Sequence, residues 1–383
     1  MELPNTQRYG VPLYGASWVP SHAIRSTDSA DPKSDDADYP SEFLVLAGGG
    51  GEGRSGIPNA VLLSEFDFAA DSLSPEPVFR VGTANELPYR MAVHPRDDGL
   101  ICSFPNSCRW FDWDMTNDNE NGRLGLVSSD KVSTKLEDVG QQLALTFSED
   151  GSLLAAGGED GKIRVFKWPS LEVLFTEEKA YTSVKDLHFS IDGKYLASVG
   201  SGGPCKVWDV TSSKAVASLA KENDEIFRFC RFSQSSERDQ VLYTLAMRGK
   251  GGSIISWNTK SWKRITSKHI VRDAVTAFNV SVDGKLLAIG TNEGDLLIIN
   301  SSKMQVQMNV KKAHLGLVTA LTFSRDSRAL GSASMDSSVR VTLVQDKSAN
   351  GLNYWIIIFI ILLAIAMYYL MSQGLIPGIR TQV

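Results

Sequence analysis

The residues with the richest chemical potential lie in one stretch, LAGGGGEGRSGIPNAV, from Leu46 to Val61. Within it, Gly48 to Ser55 nearly fits the phosphate-loop pattern GxxxxGK[ST], with Arg54 in place of the lysine. A phosphate loop must open a helix whose N-terminal amides cradle the phosphate. Here Gly56-Ile57-Pro58 follows at once, then an apolar strand-like run, so nucleotide hydrolysis is not the chemistry expected. One remaining reading is a slack hairpin. The other is an ordered loop that presents Ile57, Pro58 and Asn59 to a partner. Ile-Pro stiffens the chain and exposes an apolar side chain, which favours the second. Consecutive glycines reach positive φ and can turn carbonyl oxygens inward. Such a nest suits a weakly hydrated monovalent cation, whose water shell carbonyls replace.

Other chemistry-bearing residues read as structural. Asp160, Asp192 and Asp283 fall inside recurring polar turns, where Asp closes the turn on local backbone. His188 and His314 lie near the starts of strand-like runs and read as packing groups. No Ser-His-Asp or metal-ligand cluster stands out. Cys102, Cys108, Cys205 and Cys230 form no CxxC pair and read as reduced thiols. A net charge of −5 gives no general basic surface for nucleic acid, so no nucleic-acid partner is expected.

The elements that must position the glycine stretch are repeats. LALTFSEDGSLLAAGGEDGKIRVFKW begins at Leu143, and VKDLHFSIDGKYLASVGSGGPCKVWDV at Val184. VTAFNVSVDGKLLAIGTNEGDLLIIN begins at Val275, and VTALTFSRDSRALGSASMDSSVRVTLV at Val318. More degenerate copies start at Tyr89 and Phe227. Phe-Ser recurs at Phe147, Phe189 and Phe232, 42 and 43 residues apart. An Asp-Gly turn between strand-like runs at that period marks four-stranded blades of the WD-repeat kind. The glycine stretch belongs to a further copy, with strands expected at Tyr14–Val19, Phe43–Gly48, Asn59–Phe68 and Pro77–Gly82. The expected fold is therefore all-β: a seven-bladed propeller within residues 1–346, Gln7–Leu13 supplying the outer strand of the last blade. Ser26 to Ser41 and Thr116 to Arg123 read as polar, solvated insertions.

The far end differs. YWIIIFIILLAIAMYYLM, Tyr354 to Met371, carries no charge. Its eighteen residues would span about 27 Å as a helix, with tyrosines and a tryptophan at its ends. A C-terminal transmembrane helix is expected at 354–371, after a tether at 347–353 and before a short lumenal tail at 372–383. No apolar core of signal-peptide length is read at the start, so the propeller is expected to stay in the cytosol.

YGVPLYGASWV, LAGGGGEGRSGIPN, VKDLHFSIDGK and the C-terminal span together closely resemble the endoplasmic-reticulum exchange factors that start the COPII coat, in wording most like the plant members. The mammalian relative is prolactin regulatory element-binding protein. The resemblance runs nearly end to end. It implies a seven-bladed propeller whose glycine signature is a potassium-binding loop, the carbonyls coming from within Gly48, Gly49, Gly50, Gly51, Glu52, Gly53 and Ile57. It places the family's catalytic asparagine on Asn59, with Ile57 beside it. It implies guanine nucleotide exchange on a Sar-type small GTPase, at the endoplasmic-reticulum membrane, with no covalent chemistry. A plant paralogue shares the propeller and anchor, lacks the glycine signature, and helps phosphate transporters leave the endoplasmic reticulum. That non-catalytic role is the alternative.

Overall fold

The computed structural model describes residues 3–20, 41–53, 55–96, 99–116, 123–222, 224–233, 240–344 and 361–366. Seven antiparallel sheets are arranged as the blades of a propeller, six with four strands and one with five. The seven-bladed ring expected from the repeats is therefore observed.

Each blade starts with its inner strand. These are Leu13–Trp18, Arg90–Val93, Gln142–Phe147, Ser183–Phe189, Ile226–Phe232, Val275–Val280 and Val318–Phe323. The second strands, such as Leu153–Gly158, Leu286–Thr291 and Ala329–Ser334, are buried almost throughout. Their runs of Leu, Ala, Gly and Ser follow from being covered by neighbouring blades on both faces. Outer strands are polar and open, as in Lys214–Leu219 and Gln305–Val310.

The repeated Ser-x-Asp turn is one hydrogen-bonded cassette used four times. Ser148, Ser190, Ser281 and Ser324 each donate to the Asp two residues on at 2.6 Å. That Asp accepts the backbone N–H of the next residue but one, and the serine Oγ accepts an N–H five residues ahead. Asp192 and Asp283 are thus turn-closers, as expected. Asp160 closes another turn through the Lys162 N–H and pairs with Arg164.

The ring closes by pairing the two ends of the propeller. Thr6–Arg8 lies against Ser338–Leu343 in the register Thr6↔Arg340, Gln7↔Val339, Arg8↔Ser338. The expected outer strand, Gln7–Leu13, is corrected in extent. Gly10 takes φ +75° and breaks the run, and Leu13 opens the next blade. The first blade's edge also departs from expectation. Ser72–Leu73 and Phe79–Gly82 both pair with Ala60–Asp67. Pro75 and Pro77 interrupt a single edge strand between them, because neither offers an N–H.

Contacts divide the chain into Met1–Leu343 and Val344–Val383. In the second unit, residues 361–366 are helical, and Ile361, Leu362, Leu363 and Ile365 are exposed. Most of the span expected at 354–371 lies outside the described residues. Among the described residues no helix is long and apolar enough to cross a membrane. Nearly all of the insertion expected at 26–41, and 117–122 of the second, also lie outside them.

Candidate functional site: the glycine loop

The glycine stretch joins the second and third strands of the first blade, Ser41–Gly48 and Ala60–Asp67. It leaves at Gly48, which pairs with both Leu13 and Ala60. A Cβ on Gly48 would come within 2.1 Å of the Pro12 carbonyl oxygen, so the chain passes where no side chain fits. The Gly49 N–H donates to that same oxygen at 2.9 Å. Gly49, Gly51 and Gly56 take φ of +152°, +80° and +71°, which L-residues with side chains rarely adopt.

The loop is held by Asn59. Its Oδ1 accepts the Gly51 N–H at 2.9 Å, and its Nδ2 donates to the Gly51 carbonyl at 3.1 Å. This reciprocal pair clasps the loop across eight residues. The second Nδ2 hydrogen goes to the Ala84 carbonyl at 3.1 Å, in the link to the second blade. The partners fix which way the amide points, since the Gly51 N–H requires an oxygen. Thr83 N–H donates to the Asn59 carbonyl at 3.0 Å, so backbone and side chain are tied to the same link.

The expectation that Asn59 is held out toward a partner is corrected here. Its side chain is 3% exposed and its carboxamide turns back onto the loop. The physical reason is the glycine run itself. Backbone amides without neighbouring side chains need partners, and a carboxamide supplies both halves of one peptide-like pair. What the loop does present is Ser55, Gly56, Ile57 and Pro58, all exposed, with Ile57 the apolar one at 36%. Ser55 Oγ accepts the Ile57 N–H at 3.3 Å and tightens this tip. Arg54 lies outside the described residues. Glu52 and Gly53 are exposed.

The histidines and cysteines singled out in the sequence support structure. His314 bridges Ser338 Oγ at 2.6 Å and Ser332 Oγ at 2.8 Å and is buried. Burial lowers its pKa to about 4, with Asp336 opposing that shift and Arg340 adding to it. His188 accepts the Phe232 N–H, and burial with Arg231 nearby lowers it to about 3. Both are packing groups, as expected. All four cysteines are free and buried; burial pushes Cys102 up and Cys108 to about 12, so those two stay thiols. Among the described residues no group of three or more His, Cys, Asp or Glu could hold a metal ion.

The loop's oxygens are of another kind. A Cβ on Gly50 would meet Ser55 Oγ at 2.3 Å and the Ile57 carbonyl at 2.9 Å, so neutral oxygens crowd the glycine backbone there. That donor set, carbonyl and hydroxyl without a thiolate or imidazole, fits a hard monovalent cation.

Comparison with known proteins adds the lineage. Residues 145–234 match the family described as the anaphase-promoting complex subunit 4 WD40 domain, and residues 305–342 match the WD domain, G-beta repeat. SEC12-like protein 2 of Arabidopsis thaliana is 52% identical over 92% of this chain and 91% of its own length. SEC12-like protein 1 of the same plant is 29% identical over 78% of this chain and 75% of its own. The guanine nucleotide-exchange factor SEC12 of Rattus norvegicus is 24% identical over 97% of this chain and 99% of its own. Identity of 52% with a plant relative, over more than nine-tenths of both chains, shows the family: the chain belongs to the plant branch of the SEC12 family.

Proposed function

We propose that the protein is a guanine nucleotide exchange factor for a Sar-type small GTPase, acting at the endoplasmic-reticulum membrane to begin COPII budding. One observation carries this reading: a clasped glycine loop that displays an apolar tip from a rigid ring. An exchange factor forms and breaks no covalent bond. It binds the nucleotide-free GTPase more tightly than the loaded one, and the difference in contacts shifts the equilibrium. Ile57, stiffened by Pro58, wedges against the switch region. Asn59 lies two residues away and serves first as the clasp that shapes the tip. On docking, its carboxamide exchanges loop partners for groups that hold the switch and the phosphates. GDP then leaves and GTP enters by abundance.

Potassium is part of the proposal. The carbonyls within Gly48 to Gly53 and of Ile57 would hold it. Bound there, it supplies a positive centre that keeps several carbonyl dipoles converged, which a glycine backbone alone resists entropically. The segment at 354–371 would anchor the propeller on the cytosolic side, so that the GTPase is loaded next to the bilayer it enters.

The test is release of a fluorescent GDP from a purified Sar-type GTPase, with and without the full chain in detergent and potassium buffer. The proposal expects a large acceleration. Failure of the wild-type chain to accelerate release would leave the non-catalytic role in export of membrane cargo, such as phosphate transporters.

A further inference from the structure

Six of the seven inner strands carry a β-bulge within two residues of their start. The extra residues are Tyr14, Leu143, Lys185, Arg228, Thr276 and Thr319. Bulges re-aim the side chains that they carry. The pairing of Leu13 with Gly48 puts these strand starts on the glycine-loop side of the ring, at one mouth of the central pore.

Four bulged residues, Tyr14, Leu143, Lys185 and Thr319, line a cavity of about 140 Å³ there, together with Arg90, Asp186 and Arg231. The charges do not balance: three cations face one carboxylate. Asp186 is already engaged, pairing with Arg231 and accepting the Cys230 N–H at 2.9 Å. Arg90 uses Nε and one Nη to reach the carbonyls of Leu143 and Tyr14, both at 3.2 Å, and forms no ion pair with a described carboxylate, although its charge, like that of Arg231, also acts on Asp186. Lys185 makes no hydrogen bond or ion pair with any described residue, although it is only partly exposed. Arg228, exposed, occupies the equivalent bulge of the next blade. This local excess stands against a chain whose net charge is −5, so it is not a sample of the general surface.

We propose that this mouth of the pore binds a multivalent oxyanion of the phosphate class, with Lys185 and Arg90 as its main charge donors. Half-buried cations with low-dielectric walls focus their field and raise local anion concentration. An ammonium and a guanidinium also supply charge-assisted hydrogen bonds that a tetrahedral oxyanion accepts and chloride satisfies less well. The inference is independent of nucleotide exchange.

The test is calorimetric titration of the full chain in detergent with inorganic phosphate and pyrophosphate, paired with thermal melting. Saturable one-to-one binding is expected, with a rise in melting temperature. Lys185→Gln removes a side chain with no structural partner, so it should melt like wild type without phosphate and bind about tenfold more weakly or worse. Lys185→Arg should restore binding, and Lys250→Gln, in an exposed hairpin turn elsewhere, should leave it unchanged. No saturable binding by wild type up to about 10 mM, roughly 3 kcal/mol of affinity, overturns the inference. Equal binding by wild type and Lys185→Gln overturns it too, as would a chloride titration giving the same affinity as phosphate.

Discussion

Replacing Asn59 by alanine removes three hydrogen bonds at once: two with Gly51 and one with the Ala84 carbonyl. At about 0.5–1.5 kcal/mol net each, the closed loop loses roughly 2–4 kcal/mol. Gly51 is partly exposed, so water takes over some of these groups and the lower end applies best. The loop can open without unfolding the ring, because the ring is closed elsewhere by the pairing of Thr6–Arg8 with Ser338–Leu343. The substitution should therefore change the melting temperature little, yet raise hydrogen exchange at the Gly51 amide by about thirty-fold to a thousand-fold. Asn59→Asp is a sharper case. Its carboxylate still accepts the Gly51 N–H, but it offers no donor and faces two carbonyl oxygens, so exchange should be at least as fast as in the alanine variant. The assay is hydrogen exchange resolved at residues 48–59, run beside nucleotide release. Unchanged protection of Gly51 in Asn59→Ala would refute the clasp, and with it the link between that side chain and the shape of the tip.

Two further outcomes follow from the same geometry. Substituting lithium for potassium should reduce amide protection across Gly48 to Ile57 and slow nucleotide release, because lithium is the smaller ion and holds its water shell too tightly for the proposed carbonyl site to replace it; equal behaviour in both salts would contradict the proposed cation. Stability should fall as pH drops from about 6.5 toward 4, because His314, lowered to about 4, and His188, lowered to about 3, stay neutral in the fold while the unfolded chain takes up protons. For His314 alone this amounts to at most about 3 kcal/mol. Asp336, lowered to about 2, adds its own loss only below its ordinary value of 3.8, so a denaturation midpoint flat from pH 6.5 to 4 would contradict imidazoles held neutral in the fold.

Much of this was legible in the sequence because the turn chemistry repeats. Ser148-Glu-Asp150, Ser190-Ile-Asp192 and Ser281-Val-Asp283 state the same cassette, and their spacing states the blade. The loop's importance was legible too, since Gly48 and Gly49 pass where a Cβ would strike Pro12 and Asn59. The orientation of Asn59 was not. Its neighbour Ala60 begins a strand buried almost without alternation, so there is no outward face for the residue before it to join. The signal that bears on it is the demand of bare glycine amides for a partner, which a side-chain amide nearby can meet. The cationic pore mouth was also hidden. Lys185 in VKDLHF reads as an ordinary outward position of an alternating strand, and only the bulge between Val184 and Asp186 turns it toward the pore.

Ile57 is the side chain on which the proposed exchange activity most directly depends. In Ile57→Asp the Asn59 clasp is untouched, since no hydrogen bond of that clasp uses the Ile57 side chain. Measured as fluorescent GDP release from a Sar-type GTPase, this variant should keep wild-type protection at Gly51 and lose at least about a hundredfold in exchange rate, as expected for a central apolar anchor worth 2 kcal/mol or more that now buries a charge. Release at the wild-type rate, with the loop shown to be folded, would contradict the claim that the displayed tip drives exchange.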